Sequence, residues 1–293
     1  MTPDRDPVAV LGATGQQGGQ VVDALLEAGA SVRALVRGPA SPAAQALEAR
    51  GVALVTADQE DGDSLARGLD GTAALFFMTT FAGADATEGE VRRGTVVAGA
   101  AARAGVPHVV YSSVGGAERQ TGIPHFESKR RVEEQLTGVS RATFLRPTFF
   151  MENLTGQLAP GADGEVVVRL PMPGDVPLQM VAVRDIGAAA ARLLLDADVI
   201  EGDAVELAGD ELTLDRVAAE IGEASGRPAR FEAVPLEALA DDADLQAMFR
   251  WFAAPPAYRA DLAVSRRLVP DLSDLRTWLR TQLPAGGSPA AAG

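Results

Sequence analysis

The chain has 293 residues, and its charged side chains sum to −14, with 26 lysines and arginines against 40 aspartates and glutamates. A surface of that sign repels phosphate backbones and argues against nucleic-acid binding, yet it leaves room for one local basic pocket. Cysteine is absent, which removes disulfides, thiolate metal sites and thiol catalysis together; His108 and His125 alone are too few for a histidine-rich metal site, so no metal is expected.

Hydrophobic residues make up 47% of the chain, enough for a sizeable core. No stretch reaches the length of a membrane span, and Met1–Pro7 is short and polar with no apolar signal core. The expectation is a cytoplasmic protein with no membrane partner.

In chain order, Pro7–Leu11 is a short apolar run that reads as a buried parallel strand. Val21, Val22, Leu25 and Leu26 then recur at helical spacing up to the stop signal Gly29. Ser31–Val36 is a second strand. Ser41 and Pro42 open a helix with Ala43, Ala44 and Leu47 along one side. Val52–Thr56, Ala73–Met78, His108–Ser113 and Ala142–Leu145 read as further strands. Ser64–Leu69, Glu88–Ala104 and Phe126–Leu136 read as the helices between them. Strands alternating with helices at this spacing predict an α/β fold, a doubly wound parallel sheet with helices on both faces.

Beyond Asn153 the regularity falls. Pro160–Pro177 reads as a hairpin or irregular loop, and Val181–Leu195 as a strand and a helix. Asp203–Leu207 and Phe231–Val234 are β-like; Leu214–Ala224, Leu236–Phe252 and Leu272–Leu283 are helical. The predicted organisation is a cofactor domain over residues 1–155, its sheet extended by later segments. A smaller α/β substrate-side lobe follows over 156–283, then a low-complexity, disordered tail over 284–293.

Gly12-Ala-Thr-Gly15-Gln-Gln-Gly18 follows a strand and opens a helix. Gly12 permits a tight turn, Gly15 lets backbone approach a pyrophosphate, and Gly18 allows close helix-on-strand packing. The helix N-terminus offers free N–H groups to phosphate. This is a Rossmann-type dinucleotide turn, in the spacing that resembles the short-chain dehydrogenases. An NAD-specific site places an acid at the end of the second strand. Here that strand ends Leu35-Val36-Arg37, so a 2′-phosphate and NADP(H) are favoured. Asp58 and Gln59 close the third strand, where a carboxylate can accept from the adenine amine; the same acid reads nearly as well as a solvated loop residue.

Together the turn, Val36-Arg37, Asp58-Gln59, Thr79-Thr80-Phe81, His125-Phe-Glu-Ser-Lys129 and Phe150-Met-Glu-Asn153 resemble the NmrA-like family, especially its NADPH-sensing branch. The resemblance runs from the first strand to Leu275–Leu279. It implies NADP contacts at Gly12, Thr14, Gly15, Gln16, Gln17, Gly18, Arg37, Asp58, Gln59, Thr79, Thr80, Phe81, Lys129, Phe150 and Asn153. It also implies one at Arg92, on the helix after the fourth strand. The basic residues that often follow Arg37 in that branch are replaced by Gly38, Pro39, Ala40 and Ser41, so the NADP preference expected is modest.

Short-chain dehydrogenases use Tyr-x-x-x-Lys. Lys129 is present, but His125 stands where the tyrosine belongs, one helical turn earlier on the same face. Histidine titrates near neutral pH, so Ser113, His125 and Lys129 form a candidate proton-transfer group. Equally, His125 only lines a pocket and Lys129 only holds ribose. Phe149, Phe150, Met151 and Met180 are expected near the nicotinamide. The cluster of Met248, Phe249, Trp251 and Phe252 either caps a cleft or belongs to core or a homodimer contact. Two functions follow: a reductase of a small apolar carbonyl or quinone, or a non-catalytic NADP(H) sensor that regulates a partner protein.

Overall fold

A computed structural model describes residues 6–81, 85–139, 141–239 and 242–282. The expected tail over 284–293 lies outside them. The chain divides into two compact units, the first drawn from Met1–Gln120, Pro124–Arg146 and Ile186–Val205, the second from Thr121–Ile123, Pro147–Asp185 and Glu206–Gly293.

The first unit alternates β1 (Val8–Leu11), α1 (Gln16–Glu27), β2 (Val32–Val36), α2 (Pro42–Glu48), β3 (Ala53–Thr56), α3 (Gly62–Leu69), β4 (Ala74–Met78), α4 (Ala86–Ala104), β5 (His108–Ser112), α5 (Pro124–Leu136) and β6 (Arg141–Pro147). The sheet order is β3-β2-β1-β4-β5-β6, and every pairing among these strands is parallel. The central strands are buried on both faces, which is why they read as unbroken apolar runs rather than alternations. Leu75, Phe77, Val109 and Tyr111 pack in one cluster with Leu65 and Leu69 of α3, Val97 of α4, and Val132 and Leu136 of α5. Gly94 brings α4 hard against α5: a Cβ there would sit 2.5 Å from Val132 Cγ2.

Local chemistry sets the helix starts. Ser41 Oγ accepts from the Ala44 amide, with Pro42 at the first helical position. The Asp61 carboxylate accepts from the Asp63 and Ser64 amides, so α3 starts at Gly62 rather than at Ser64. In α2 only Ala44 and Leu47 are buried; Ala43 faces out, because the short helix turns it off the buried stripe.

Next in sequence come β7 (Phe149–Phe150), β8 (Leu158–Pro160), β9 (Val166–Leu170) and β10 (Pro177–Val181) of the second unit, then α6 (Val183–Leu195) and β11 (Ala204–Leu207), whose Ile186–Val205 span belongs to the first. β11 adds to the large sheet beside β6 as its seventh strand. Gly187 of α6 crosses α1 at backbone distance: a Cβ would lie 2.5 Å from the Gln20 carbonyl carbon. α1 and α6 therefore pack together, apart from the α3–α4–α5 cluster.

The second unit continues with β12 (Asp210–Thr213), α7 (Leu214–Ser225), β13 (Ala229–Ala233), α8 (Ala243–Phe252), α9 (Leu262–Leu268) and α10 (Leu275–Gln282). Its strands form two three-stranded sheets, β12-β10-β7 and β13-β9-β8. The Pro160–Pro177 stretch contains the buried strand β9, antiparallel to β8. β12 and α9 have no counterpart in the sequence reading: β12 is short and polar, and α9 is a seven-residue helix capped by Asp261. Phe252 is the aromatic centre of the unit, touching the rings of Phe149, Phe249, Trp251 and Tyr258. Phe249 and Phe252 are buried and pack as core, while Met248 and Trp251 are half-buried. Glu152 accepts from the Val183 amide at 3.1 Å and from Trp278 Nε1 at 3.0 Å, and burial raises its pKa above the ordinary carboxylate value.

Candidate functional site

The glycine turn joins β1 to α1 in the first unit. Gly12 holds φ +81°, a left-handed conformation, and its carbonyl accepts the Gly15 amide at 2.9 Å. A Cβ on Gly18 would lie 2.1 Å from the Gly12 oxygen, so only glycine lets α1 start this close to the turn. The N-cap of α1 is Gly15, with no side-chain cap and no acid in the first turn. Its leading N–H groups are thus left to an anion.

Beside that turn, at the carboxyl ends of β1, β2, β3 and β4, lies a cavity of about 440 Å³. Gly12, Thr14, Gly15, Arg37, Asp58, Gln59, Thr79 and Thr80 line it, joined by Glu60, Met78 and Arg93. Its position is the crevice where strand order reverses between β1 and β4. Arg37 is exposed there. The Asp58 carboxylate accepts from the Glu60 amide at 3.0 Å, and Gln59 Nε2 donates to the Met78 carbonyl at 3.3 Å, which fixes the floor of the loop after β3.

Arg92 does not line this cavity. It is half exposed and paired with Asp85 at 2.9 Å and Glu60 at 3.4 Å. Its neighbour Arg93 lines the cavity, with Nη2 donating to the Thr80 carbonyl at 2.5 Å and Nη1 reaching Glu60 at 3.2 Å. Arg93 Nε is buried with no hydrogen-bond partner among the described residues. Hydrogen bonds from Arg92 and Arg93 hold Glu60 below the usual carboxylate range.

The candidate proton-transfer residues share this unit. His125 and Lys129 sit one turn apart on α5. The His125 ring stacks on Phe81 at 4.9 Å between centroids and meets Phe126 edge-on at 4.7 Å. Ser113 follows β5; its amide donates to the Leu145 carbonyl at 2.8 Å, while its Oγ is buried without a hydrogen-bond partner among the described residues. Leaving a hydroxyl so costs roughly 1–3 kcal/mol, a cost that native sites carry where a ligand completes the bond. Ser112 Oγ instead donates to Gln17 Oε1 at 2.7 Å, tying the first turn of α1 to the end of β5. Phe150 and Asn153 belong to the second unit, Phe150 half-buried and Asn153 exposed. His108 plays a packing role. Burial, helped by the Arg141 charge, pushes its pKa down to about 4, so it is neutral at physiological pH.

Sequence reasoning missed Glu90. It is fully buried on α4 and accepts from Lys129 Nζ at 2.8 Å, Thr79 Oγ1 at 2.9 Å and Ser128 Oγ at 2.5 Å. Tyr111 lies beneath: its hydroxyl is 2.8 Å from Thr79 Oγ1, and burial, reinforced by Glu90, raises its pKa well above the ordinary phenol value. The available signal was a carboxylate seven residues before Val97, two helical turns away on the apolar face of α4.

The sheet order, the glycine turn and the crevice beside it define a protein of the Rossmann class. The sequence matches the NmrA-like family over residues 4–279, and the chain belongs to that family. It is 36% identical over 234 residues to a (4-alkanoyl-5-oxo-2,5-dihydrofuran-3-yl)methyl phosphate reductase of Streptomyces griseus, covering 79% of this chain and 78% of the relative. An NADPH-dependent quinone oxidoreductase of Escherichia coli, solved with NADPH, superposes with a TM-score of 0.77 at 25% identity, covering 94% of this chain and 99% of that one. NmrA, a negative transcriptional regulator solved with NADP, superposes with a TM-score of 0.80 at 22% identity over 96% of both chains, a likeness of fold. Among the described residues, no helix is long and apolar enough to cross a membrane.

Proposed function

We infer that the chain is an NADP(H)-dependent reductase of a small, apolar carbonyl or quinone. The observation that carries this reading is the crevice itself: an uncapped helix start, a glycine cradle that a Cβ would fill, and Arg37 in place of an acid at the end of β2. Relatives named as a reductase and as a quinone oxidoreductase support it.

The turn from Gly12 to Gly18 would hold the pyrophosphate, with Thr14, Gln16 and Gln17 beside it. Arg37 would pair with the 2′-phosphate, and Asp58 and Gln59 would flank the adenine. Thr79, Thr80 and Phe81 would follow the cofactor toward its reactive end, where Lys129 would hold the ribose. Bound NADPH supplies a hydride. Ser113 Oγ, buried and without a partner among the described residues, would donate a hydrogen bond to the substrate oxygen. His125, stacked on Phe81 and edge-on to Phe126, would deliver the proton to that oxygen.

Arg37→Ala should weaken NADPH binding about tenfold or more beyond any loss for NADH, the worth of one charge-assisted hydrogen-bonded pair. Fluorescence titration with both cofactors measures this, and equal losses would remove Arg37 from the 2′-phosphate site. NADPH consumption across a panel of quinones and aromatic ketones tests the reaction. His125→Ala should lower kcat about 100-fold or more on any substrate turned over. Tight NADPH binding with no turnover on the whole panel would favour the alternative, a sensor acting on a partner protein. The replacement of the usual tyrosine by His125 is the observation behind that second reading.

A further inference from the structure

Of the 26 lysine and arginine residues only Lys129 is lysine; the other 25 are arginine. A chain that uses arginine at every other basic position keeps an ammonium at the one place where its compact geometry matters. Lys129 is 11% exposed. Its Nζ donates to Glu90 Oε1 at 2.8 Å and to the Thr79 main-chain carbonyl at 3.2 Å, above the Tyr111 ring at 6.0 Å from its centroid. An ammonium has three N–H donors. Two are committed to described residues, which leaves one for a ligand. A planar guanidinium, with its fixed fork, does not reproduce that division.

Glu90 is organised around this task. Its Oε1 takes both Lys129 and Thr79, and its Oε2 takes Ser128, which lies next to Lys129 on α5. Three donors from β4's end and α5 converge on a carboxylate carried by α4, at zero solvent exposure. We propose that Glu90 is a positioning residue: it pins the sole lysine at two points and so directs its one remaining N–H to the cofactor ribose. The proposal rests on the NADP(H) reading above for the identity of the ligand; the hold on Lys129 itself is a property of the free protein.

The test uses the singularity of this amine. Lys129 and the chain's α-amine are the only amines an acylating reagent can modify, and peptide mass spectrometry separates the two. In the free protein, Lys129 should label slowly, and E90Q should raise its rate about tenfold or more, because the variant loses a charge-assisted bond. E90D keeps the charge but draws the carboxylate back by one methylene, and should raise the rate by a smaller factor; it decides the matter if E90Q does not fold. NADPH affinity, read by fluorescence, should fall about tenfold in E90Q. The same change made in a Lys129→Met background should add no further loss, since Glu90 acts through Lys129. Unchanged labelling in folded E90Q or E90D overturns the proposal. So does an equal loss of NADPH affinity with and without Lys129. If the wild type binds no NADPH, the cofactor reading fails and takes the ribose assignment with it, while the labelling rates still judge the pinning.

Discussion

Gly18→Ala is expected to abolish NADPH binding and to lower stability by about 3 kcal/mol, toward the upper end for forced overpacking. The added Cβ would stand 2.1 Å from the Gly12 oxygen, 2.6 Å from its carbonyl carbon and 3.0 Å from the Ala13 nitrogen. All three are main-chain atoms, so no side-chain rotation relieves the clash. The turn must open, and the helix start leaves the anion site with it. Gly15→Ala is the control, since its Cβ meets the same oxygen at 3.3 Å and a shift of a few tenths of an ångström accommodates it. That variant should melt close to the wild type. Thermal melts and NADPH titration of both proteins measure this; a Gly18→Ala protein that melts and binds as the wild type does would remove the close-approach argument.

Lys129→Met is expected to cost about 3–5 kcal/mol of stability, besides its effect on cofactor binding. The physical reason is Glu90, whose carboxylate has zero exposure and would lose its only cation among the described residues. Thr79 and Ser128 still donate to it, but hydroxyls do not neutralise a buried charge. Adding Glu90→Gln removes the charge, so the double variant should regain part of the loss. Denaturant unfolding of the two single variants and the double closes the cycle. Strict additivity of the single losses would mean that the two side chains do not stabilise each other.

The two arginines of α4 show where a sequence reading stops. Arg92 and Arg93 are adjacent, identical in type, and about 100° apart on the helix. Which of them lines the cavity depends on the phase with which α4 packs, and that phase is set by Gly94 against Val132 and by Val97 within the core. No local pattern encodes it to within one residue. Glu90 was hidden for the same reason: on paper a glutamate early in a helix is an ordinary solvated acid, and only the approach of α5 turns it into the buried partner of Lys129. The second unit shows a different limit. The aromatic group around Phe252 reads more readily as core or a dimer contact than as a cap, but the sequence does not choose between core and contact. The burial of Phe252 follows from the packing of Phe149 and Tyr258, which lie about a hundred residues apart in the chain.

What the sequence determined by itself is local in origin. Apolar runs of strand length, glycines at fixed offsets between a strand and a helix, capping residues such as Ser41, and the absence of an acid after Val36 each act through near neighbours. They were enough for the strand–helix alternation, the glycine turn before α1 and the lysine one turn after His125. The tertiary structure alone decided the rest. It returned Ile186–Val205 to the first unit, buried Glu90 against Lys129, left Ser113 Oγ without a partner among the described residues, and put Arg93 rather than Arg92 beside the cavity. Each of these depends on elements remote in the chain meeting at a particular helical phase, and that is settled by close packing, where a displacement of one residue costs more than any local preference.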